Sequence, residues 1–269
     1  MRYKMIALDL DGTLNNDQKV ITQRTKDALI AVQKQGVIVV LASGRPAPGL
    51  KRESDALKLE EYHGLLSSYN GGKVVEAATQ KVLYEKSLPN EVAVRLLKHI
   101  EAFPVTPIVD DGIDYYTADR NAFMIEYESK LNNLGIKVVN NVAEGVNFDP
   151  VKVLIAAPNE VLLPLCDRIM EPFKEELSFV QSTPFFLEAT RKGVNKASSL
   201  EAICNLLSIK PEEVIAFGDE ANDLKMLEFA GLGVAMGNAS EKLKSIADEI
   251  TLSNNEDGIA HTLSKYFNL

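Results

Sequence analysis

The sequence predicts an α/β fold in which a doubly wound parallel sheet is interrupted by an inserted α+β domain. Short, almost unbroken apolar runs recur at Met5-Ile6-Ala7-Leu8, at Val37 to Ala42 and at Val214-Ile215-Ala216-Phe217, the pattern of strands buried on both faces. Helix-period segments lie between such runs. From Lys73 to Glu188 the texture changes to short alternating segments with turn signals, which suit hairpins rather than buried parallel strands.

Taken in order, the first apolar run is a strand that breaks into Asp9-Leu10-Asp11-Gly12-Thr13-Leu14. Ile21, Ala28, Leu29 and Val32 then have helical spacing, and Gly36 suits the helix C-terminus. The run from Val37 to Ala42 is a second buried strand, so the first elements form a right-handed parallel βαβ unit that delivers Ser43-Gly44-Arg45-Pro46 to the same sheet edge as Asp9. Leu65 to Tyr69 reads as a third strand, stopped by Asn70-Gly71-Gly72. In the insertion, Ile108-Val109 and Tyr115-Tyr116 flank Asp110-Asp111-Gly112 as a hairpin, and helices are expected near Glu91 to Ile100, Asn121 to Leu131 and Glu160 to Ile169. After Lys192-Gly193 the alternation returns, with a helix near Lys196 to Leu207, the strand at Val214 to Phe217, a helix near Leu224 to Ala230 and a short strand from Gly233 to Met236. The expected division is a discontinuous core, 1–84 with 190–269, around an inserted domain, 85–189.

Composition narrows the function classes. The 269 residues, 46% hydrophobic and 25% charged, are ordinary for a folded globular protein of about two domains. The net charge of −9 argues against general affinity for nucleic acid or an anionic membrane, so an anionic substrate has to be captured by local positive groups. Two cysteines, Cys166 and Cys204, fit a reducing compartment without a disulfide framework. Asp9 interrupts the apolar stretch after Arg2 and Lys4 too early for a signal sequence or a membrane span, and a cytoplasmic location is the expectation.

The chemistry gathers at strand ends. Ligands of open α/β sheets bind at the carboxyl ends of the strands, and residues two apart in a strand share a face, so Asp9 and Asp11 are expected to converge. Two close carboxylates imply a hard cation such as Mg2+, a raised pKa on one of them, or both. A second acidic turn, Gly218-Asp219-Glu220-Ala221-Asn222-Asp223, follows the strand at Val214. Helix capping alone explains one such turn; two of them place Asp9, Asp11, Asp219 and Asp223 at one edge, where a divalent metal relieves the repulsion. Lys196 sits near a helix start, which the helix dipole disfavours unless an anion faces it. Ser43 and the Gly44 amide make a small donor site suited to phosphate oxygens. None of His63, His99 and His261 falls in these clusters, which argues against a histidine base or nucleophile.

Asp9-x-Asp11-Gly12-Thr13, Ser43-Gly44-Arg45, Lys196 and Gly218-Asp219-x-x-Asn222-Asp223 resemble, in order, the four motifs of the haloacid dehalogenase superfamily of phosphohydrolases. Asn70-Gly71 before the insertion and Lys192-Gly193-x-x-Lys196 after it are similar to the Cof-type branch, nearest the YidA-like sugar phosphatases. The resemblance implies a Rossmann-like core with a C2-type cap, hinged at Leu83 to Leu88 and at Glu188 to Gly193. It implies a Mg2+-dependent phosphatase acting on phosphate monoesters of small metabolites, sugar phosphates among them. Asp9 would attack phosphorus, and Asp11 would protonate the leaving oxygen and then activate water. Thr13 would hold Asp11 in place. Mg2+ would be bound by the Asp9 carboxylate, the Asp11 backbone carbonyl and Asp219. Ser43, the Gly44 and Leu10 amides, Lys196 and Asn222 would grip the phosphoryl oxygens, and Asp223 would orient Lys196 or metal-bound water. A mutase that passes the phosphoryl group to another sugar shares the motifs, and a non-catalytic phosphate sensor shares the acidic site and the lysine. The middle of the insertion has no comparable signature, so neither the metabolite nor the oligomeric state is legible.

Overall fold

A computed structural model describes residues 2–269. They pack as two compact units, one comprising residues up to Tyr84 together with Asn195–Leu269, the other Glu85–Val194.

In the first unit the chain opens with β1 (Met5–Leu8), α1 (Gln23–Lys34) and β2 (Ile38–Ala42). Every residue of β1 is buried, as a central parallel strand requires. Thr22 caps α1 by accepting from the Thr25 amide, and Gly36, at φ +89°, turns the chain back from the helix end. The helix buries Ala28, Leu29 and Val32 against the sheet. Next come α2 (Lys51–Ala56), β3 (Leu65–Ser68), β4 (Lys73–Glu76) and β5 (Val82–Glu85). β4 runs antiparallel to β3, so the change of texture at Lys73 begins as an antiparallel border of the same sheet.

The second unit contains α3 (Asn90–Ile100), β6 (Thr106–Asp110), β7 (Asp114–Thr117), α4 (Ile125–Asn132), β8 (Gly135–Val138), α5 (Val142–Gly145), β9 (Lys152–Ala156), α6 (Asn159–Leu162), α7 (Cys166–Met170), β10 (Leu177–Thr183) and β11 (Phe186–Arg191). Its sheet has the order β10-β11-β9-β6-β7-β8. The side chains of Val109, Val153, Ile155, Leu187 and Ala189 pack with Val92, Leu96 and Ile100 of α3, while Ile108, Tyr115, Leu154, Ala156 and Phe186 pack with Ile125 of α4. Alternating strand residues thus feed two separate apolar clusters.

Three expectations differ here from the structure. The helix expected from Asn121 begins at Ile125, because Met124 takes a left-handed conformation at φ +62° and blocks extension towards the N-terminus. The helix expected from Glu160 to Ile169 is broken into α6, a 3-10 turn at Leu163–Leu165, and α7; Pro164 has no N–H to donate to the preceding turn. The second boundary of the insertion falls after Val194 rather than at 189, since β11 runs on to Arg191 and the Lys192 amide still bonds to the Glu176 carbonyl at 3.2 Å.

The chain completes the first unit with α8 (Lys196–Leu207), β12 (Val214–Gly218), α9 (Leu224–Phe229), β13 (Leu232–Ala235), α10 (Glu241–Lys244), β14 (Glu249–Ile250) and α11 (Gly258–Tyr266). The eight strands order as β14-β13-β12-β1-β2-β3-β4-β5, with parallel pairing from β14 through β3. β1 lies between β12 and β2, so the order reverses beside it, the usual place for a ligand crevice.

Candidate active site

β1 ends at Leu8 and β12 at Gly218, and the pairing of these neighbours continues as the Asp9 amide bonds to the Phe217 carbonyl at 3.1 Å. The turns beyond them carry the acidic residues. Gly12 has φ +88°, and a β-carbon there would run into the Asp219 carboxylate, so only glycine permits this approach. It lets the Thr13 hydroxyl donate to Asp219 Oδ1 at 2.7 Å. The resemblance had paired Thr13 with Asp11; the turn instead aims this short side chain across to the neighbouring strand end.

Lys196 is the first residue of α8, whose N-cap Asn195 accepts from the Ser198 amide. It is fully buried, and its ammonium bonds to Asp9 Oδ1 and, at 2.6 Å, to Asp223 Oδ1. The anions that offset its unfavourable place in the helix dipole are therefore the protein's own carboxylates. Asp223 Oδ2 accepts from the Asp219 and Glu220 amides at 3.0 and 3.1 Å, which folds the acidic turn around it. Burial works against the charge on Lys196, but Asp223 and Asp9 outweigh it and raise the lysine pKa, so it stays an ammonium.

Carboxylate oxygens of Asp9, Asp219 and Asp223 lie within 4.8 Å of one another. Burial and then the Asp223 charge push the Asp9 pKa well above the usual range, against the pull of Lys196. Asp219 is pushed up to about 6, chiefly by burial, with the Thr13 hydrogen bond opposing and Asp223 and Glu220 adding to the rise. Asp223 is saturated by Lys196 and two amides, whereas one oxygen each of Asp9 and Asp219 has no hydrogen-bond partner among the described residues. Two free oxygens on neighbouring, electrostatically frustrated carboxylates form a donor set that suits a small hard cation.

Asp11 does not join this group. Its carboxylate is held by Arg45 at 2.7 Å and by Lys19 at 3.1 Å. Partial burial acts to raise its pKa, but Arg45 and Lys19 outweigh that and leave it below the ordinary value. The expected joining of Asp11 to this group is not seen because β1 ends at Leu8 and the chain is already turning at Leu10, so strand alternation does not govern either aspartate.

On the other side of β1, Ser43 is buried and its hydroxyl accepts from the Arg45 amide at 3.3 Å, while its carbonyl accepts from the Asn70 amide at 2.8 Å. Asn70 adopts φ 54° and accepts from the Asn222 amide group at 3.3 Å; its side chain also lies against Gly44. Ser43, Gly44 and Asn222 are thus joined through Asn70, which the sequence offers as a strand stop and as part of the Cof-type resemblance but not as a site residue. Gly71, at φ +94°, approaches the Asn195 backbone so closely that a β-carbon has no room, and the Ser67 and Ser199 hydroxyls meet at 2.7 Å. These contacts fix the start of α8 and hence Lys196. Leu10 is buried, and its carbonyl accepts from the Asn15 amide at 2.8 Å. Arg45 and Asn70 stand within the motifs that carry the resemblance, and the readable signal for Asn70 is an asparagine placed before glycine in a tight turn.

A model of haloacid dehalogenase-like hydrolases matches residues 6–263. A haloacid dehalogenase-like hydrolase from Bacteroides thetaiotaomicron is 38% identical, covers 98% of this chain and 100% of its own, and superposes with a TM-score of 0.92. The 5-amino-6-(5-phospho-D-ribitylamino)uracil phosphatase YitU of Bacillus subtilis is 32% identical over 98% of both chains. The subclass IIB sugar phosphatase BT4131 is 26% identical over 98% of both, with a TM-score of 0.79. The chain belongs to the haloacid dehalogenase-like hydrolase family and stands among its phosphatases.

Proposed function

We propose that the protein is a Mg2+-dependent phosphatase that hydrolyses phosphate monoesters of small metabolites, sugar phosphates among them, through an aspartyl phosphate on Asp9. The observation that carries this reading is the arrangement of Asp9, Asp219 and Asp223 around the buried Lys196. Asp9 and Asp219, with the Asp11 backbone carbonyl, would hold the ion. When bound, Mg2+ supplies charge neutralisation for the phosphoryl oxygens and for the two carboxylates.

Asp9 attacks phosphorus and the bond to the leaving oxygen breaks; that oxygen takes a proton from Asp11. Asp11, now a carboxylate, takes a proton from the water that attacks the Asp9 phosphoryl group, releasing inorganic phosphate and restoring both residues. Asp11 must leave Arg45 and Lys19 to carry the proton, since that pairing favours the carboxylate. Lys196, Ser43, the Gly44 and Leu10 amides and Asn222 position the phosphoryl oxygens, the main requirement of phosphoryl transfer. Asp223 orients Lys196. Residues 85–194 supply substrate selectivity, as a cap would.

A screen of hexose, pentose, tetrose, nucleotide, flavin and pyridoxal phosphates with Mg2+, read by phosphate release, tests the reading. Turnover of a subset is expected. No phosphate release from any monoester, activated aryl phosphates included, contradicts it.

A further inference from the structure

The turn that carries Asp11 is held from outside by two asparagines to which no role has been given above. Asn238, just beyond β13, donates from its side-chain amide to the Gly12 carbonyl at 2.8 Å. The same side chain accepts from the Asn254 amide at 2.9 Å. Asn254 in turn donates to the Asn15 carbonyl at 3.1 Å and to Asp17 at 3.2 Å. The two carbonyls thus gripped, Gly12 and Asn15, flank Thr13 and bracket the turn that follows Asp11.

The grip is itself anchored to the sheet. Flanking Asn238, the Met236 amide bonds to the Gly218 carbonyl and the Ser240 amide to the Asp219 carbonyl, each at 3.0 Å, so the loop bearing Asn238 is tied to the strand end that bears Asp219. The Gly237 amide bonds to the Leu252 carbonyl at 3.0 Å, which ties it also to the segment bearing Asn254. Within the turn, the local backbone bonds are from Thr13 to Leu10 at 3.4 Å, Leu14 to Asp9 at 3.2 Å and Asn15 to Leu10 at 2.8 Å. None of these uses the Gly12 carbonyl. A glycine at φ +88° has low intrinsic rigidity, and a carbonyl left to water would let its peptide rotate. Asn238 is exposed, so it contributes little to the core; what it fixes is the plane of the Gly12–Thr13 peptide.

We infer that Asn238, backed by Asn254, is a positioning residue: it clamps the Gly12 carbonyl and thereby fixes the turn from which Asp11 must deliver its proton. The clamp rests on the proposed role of Asp11. Losing it leaves the ligands of the phosphoryl group in place but lowers the fraction of time in which Asp11 is aimed at the leaving oxygen. Small misplacements of a catalytic group have large kinetic effects.

The test compares Asn238→Ala and Asn238→Asp with the full-length wild type, on an activated aryl phosphate and on an alkyl phosphate with a poor leaving group. Asn238→Asp keeps the acceptor for the Asn254 amide but loses the donor to Gly12. For both variants kcat/KM on the alkyl ester, which reports the step that expels the leaving group, should fall about tenfold, a part of the roughly 10²–10⁴-fold that a general acid contributes, with little loss in kcat/KM on the aryl ester. In an Asp11→Asn background, Asn238→Ala should cost nothing more, because the residue it aims is gone. Equal losses on both esters, losses that add to those of Asp11→Asn, or wild-type rates in both variants overturn the clamp. If Asp11→Asn itself shows no dependence on the leaving group, the proposed role of Asp11 fails and takes the clamp with it. If Asp11→Asn shows that dependence and the Asn238 variants do not, the clamp alone fails.

Discussion

Each of the two units buries one lysine among carboxylates, and the two clusters are built for opposite ends. In the first unit Lys196 meets Asp9 and Asp223, with Asp219 close by. In the second, Lys152 pairs with Glu188 at 3.2 Å, while Glu128 accepts from Asn132 at 2.9 Å and from the Tyr115 hydroxyl at 3.4 Å. The difference lies in where the residues sit along their elements. Lys152 and Glu188 lie within paired strands and Glu128 on a helix packed over them, so their side chains bond to one another and to neighbours inside the unit, and among the described residues they form no group of three carboxylates close enough to share a cation. The Lys196 cluster stands on turns beyond strand ends, and it leaves oxygens of Asp9 and Asp219 without partners. A closed network contributes to fold specificity at best; an open one at the edge of a parallel sheet is a site.

Removing the cation is expected to have the largest effect, because among the described residues it is the first cluster that brings three carboxylates within 4.8 Å of one another. Chelation should abolish phosphate release and Mg2+ should restore it, whereas Ca2+, with its larger and looser coordination shell, should inhibit. Full activity in metal-stripped buffer breaks the contrast between the open cluster and the closed one.

Exchanging the two lysines for methionine sharpens the contrast. Lys196→Met should lower kcat on an activated aryl phosphate by roughly 10²–10³-fold, the scale of losing one preorganised charge-stabilising donor. Lys152→Met should leave that rate unchanged yet cost about 3–5 kcal/mol in stability, since it strands a buried Glu188, measurable by denaturant unfolding. If Lys152→Met cut kcat while stability held, the second cluster would belong to the chemistry.

The smallest expected effect concerns Glu128. Burial raises its pKa first, with Lys152 opposing and Glu188 adding to the rise. A carboxyl whose folded pKa exceeds its unfolded one binds its proton more tightly when folded, so its contribution is fully present below the unfolded pKa and is lost as pH rises through the folded pKa. Glu128→Gln should therefore flatten the fall in stability above the unfolded glutamate pKa, near 4.3, in unfolding curves taken across pH. An unchanged pH dependence would remove Glu128 from the set of groups that the closed cluster strains.

The same contrast governs what was legible in the sequence. Asp9, Asp219, Asp223 and Lys196 were readable because apolar strands point at them and glycines stand beside them, so local pattern and position in the sheet coincide. The turn chemistry around Asp11 was not: strand alternation placed its carboxylate beside Asp9, but the strand ends at Leu8 and Arg45 and Lys19 take the carboxylate. The partner of Thr13 was missed for the same reason, since a bond to Asp219 spans most of the chain and no spacing reports it. In the insertion the alternation revealed hairpins, but Lys152, Glu128 and Glu188, at strand and helix positions, look like a solvated face until the sheet order brings them together. Helix ends there depended on Met124 and Pro164, single residues whose backbone geometry outweighs apolar periodicity.

The central claim is that the open cluster exists to let Asp9 attack phosphorus, and the most direct measurement is to catch the product of that attack. Enzyme mixed with an activated phosphate ester and Mg2+, quenched in acid within a turnover and digested, should yield a phosphorylated peptide whose modification maps to Asp9 by mass spectrometry. Asp9→Asn should give no adduct and no turnover while remaining folded. An adduct on any other residue, or sustained hydrolysis by Asp9→Asn, would contradict it.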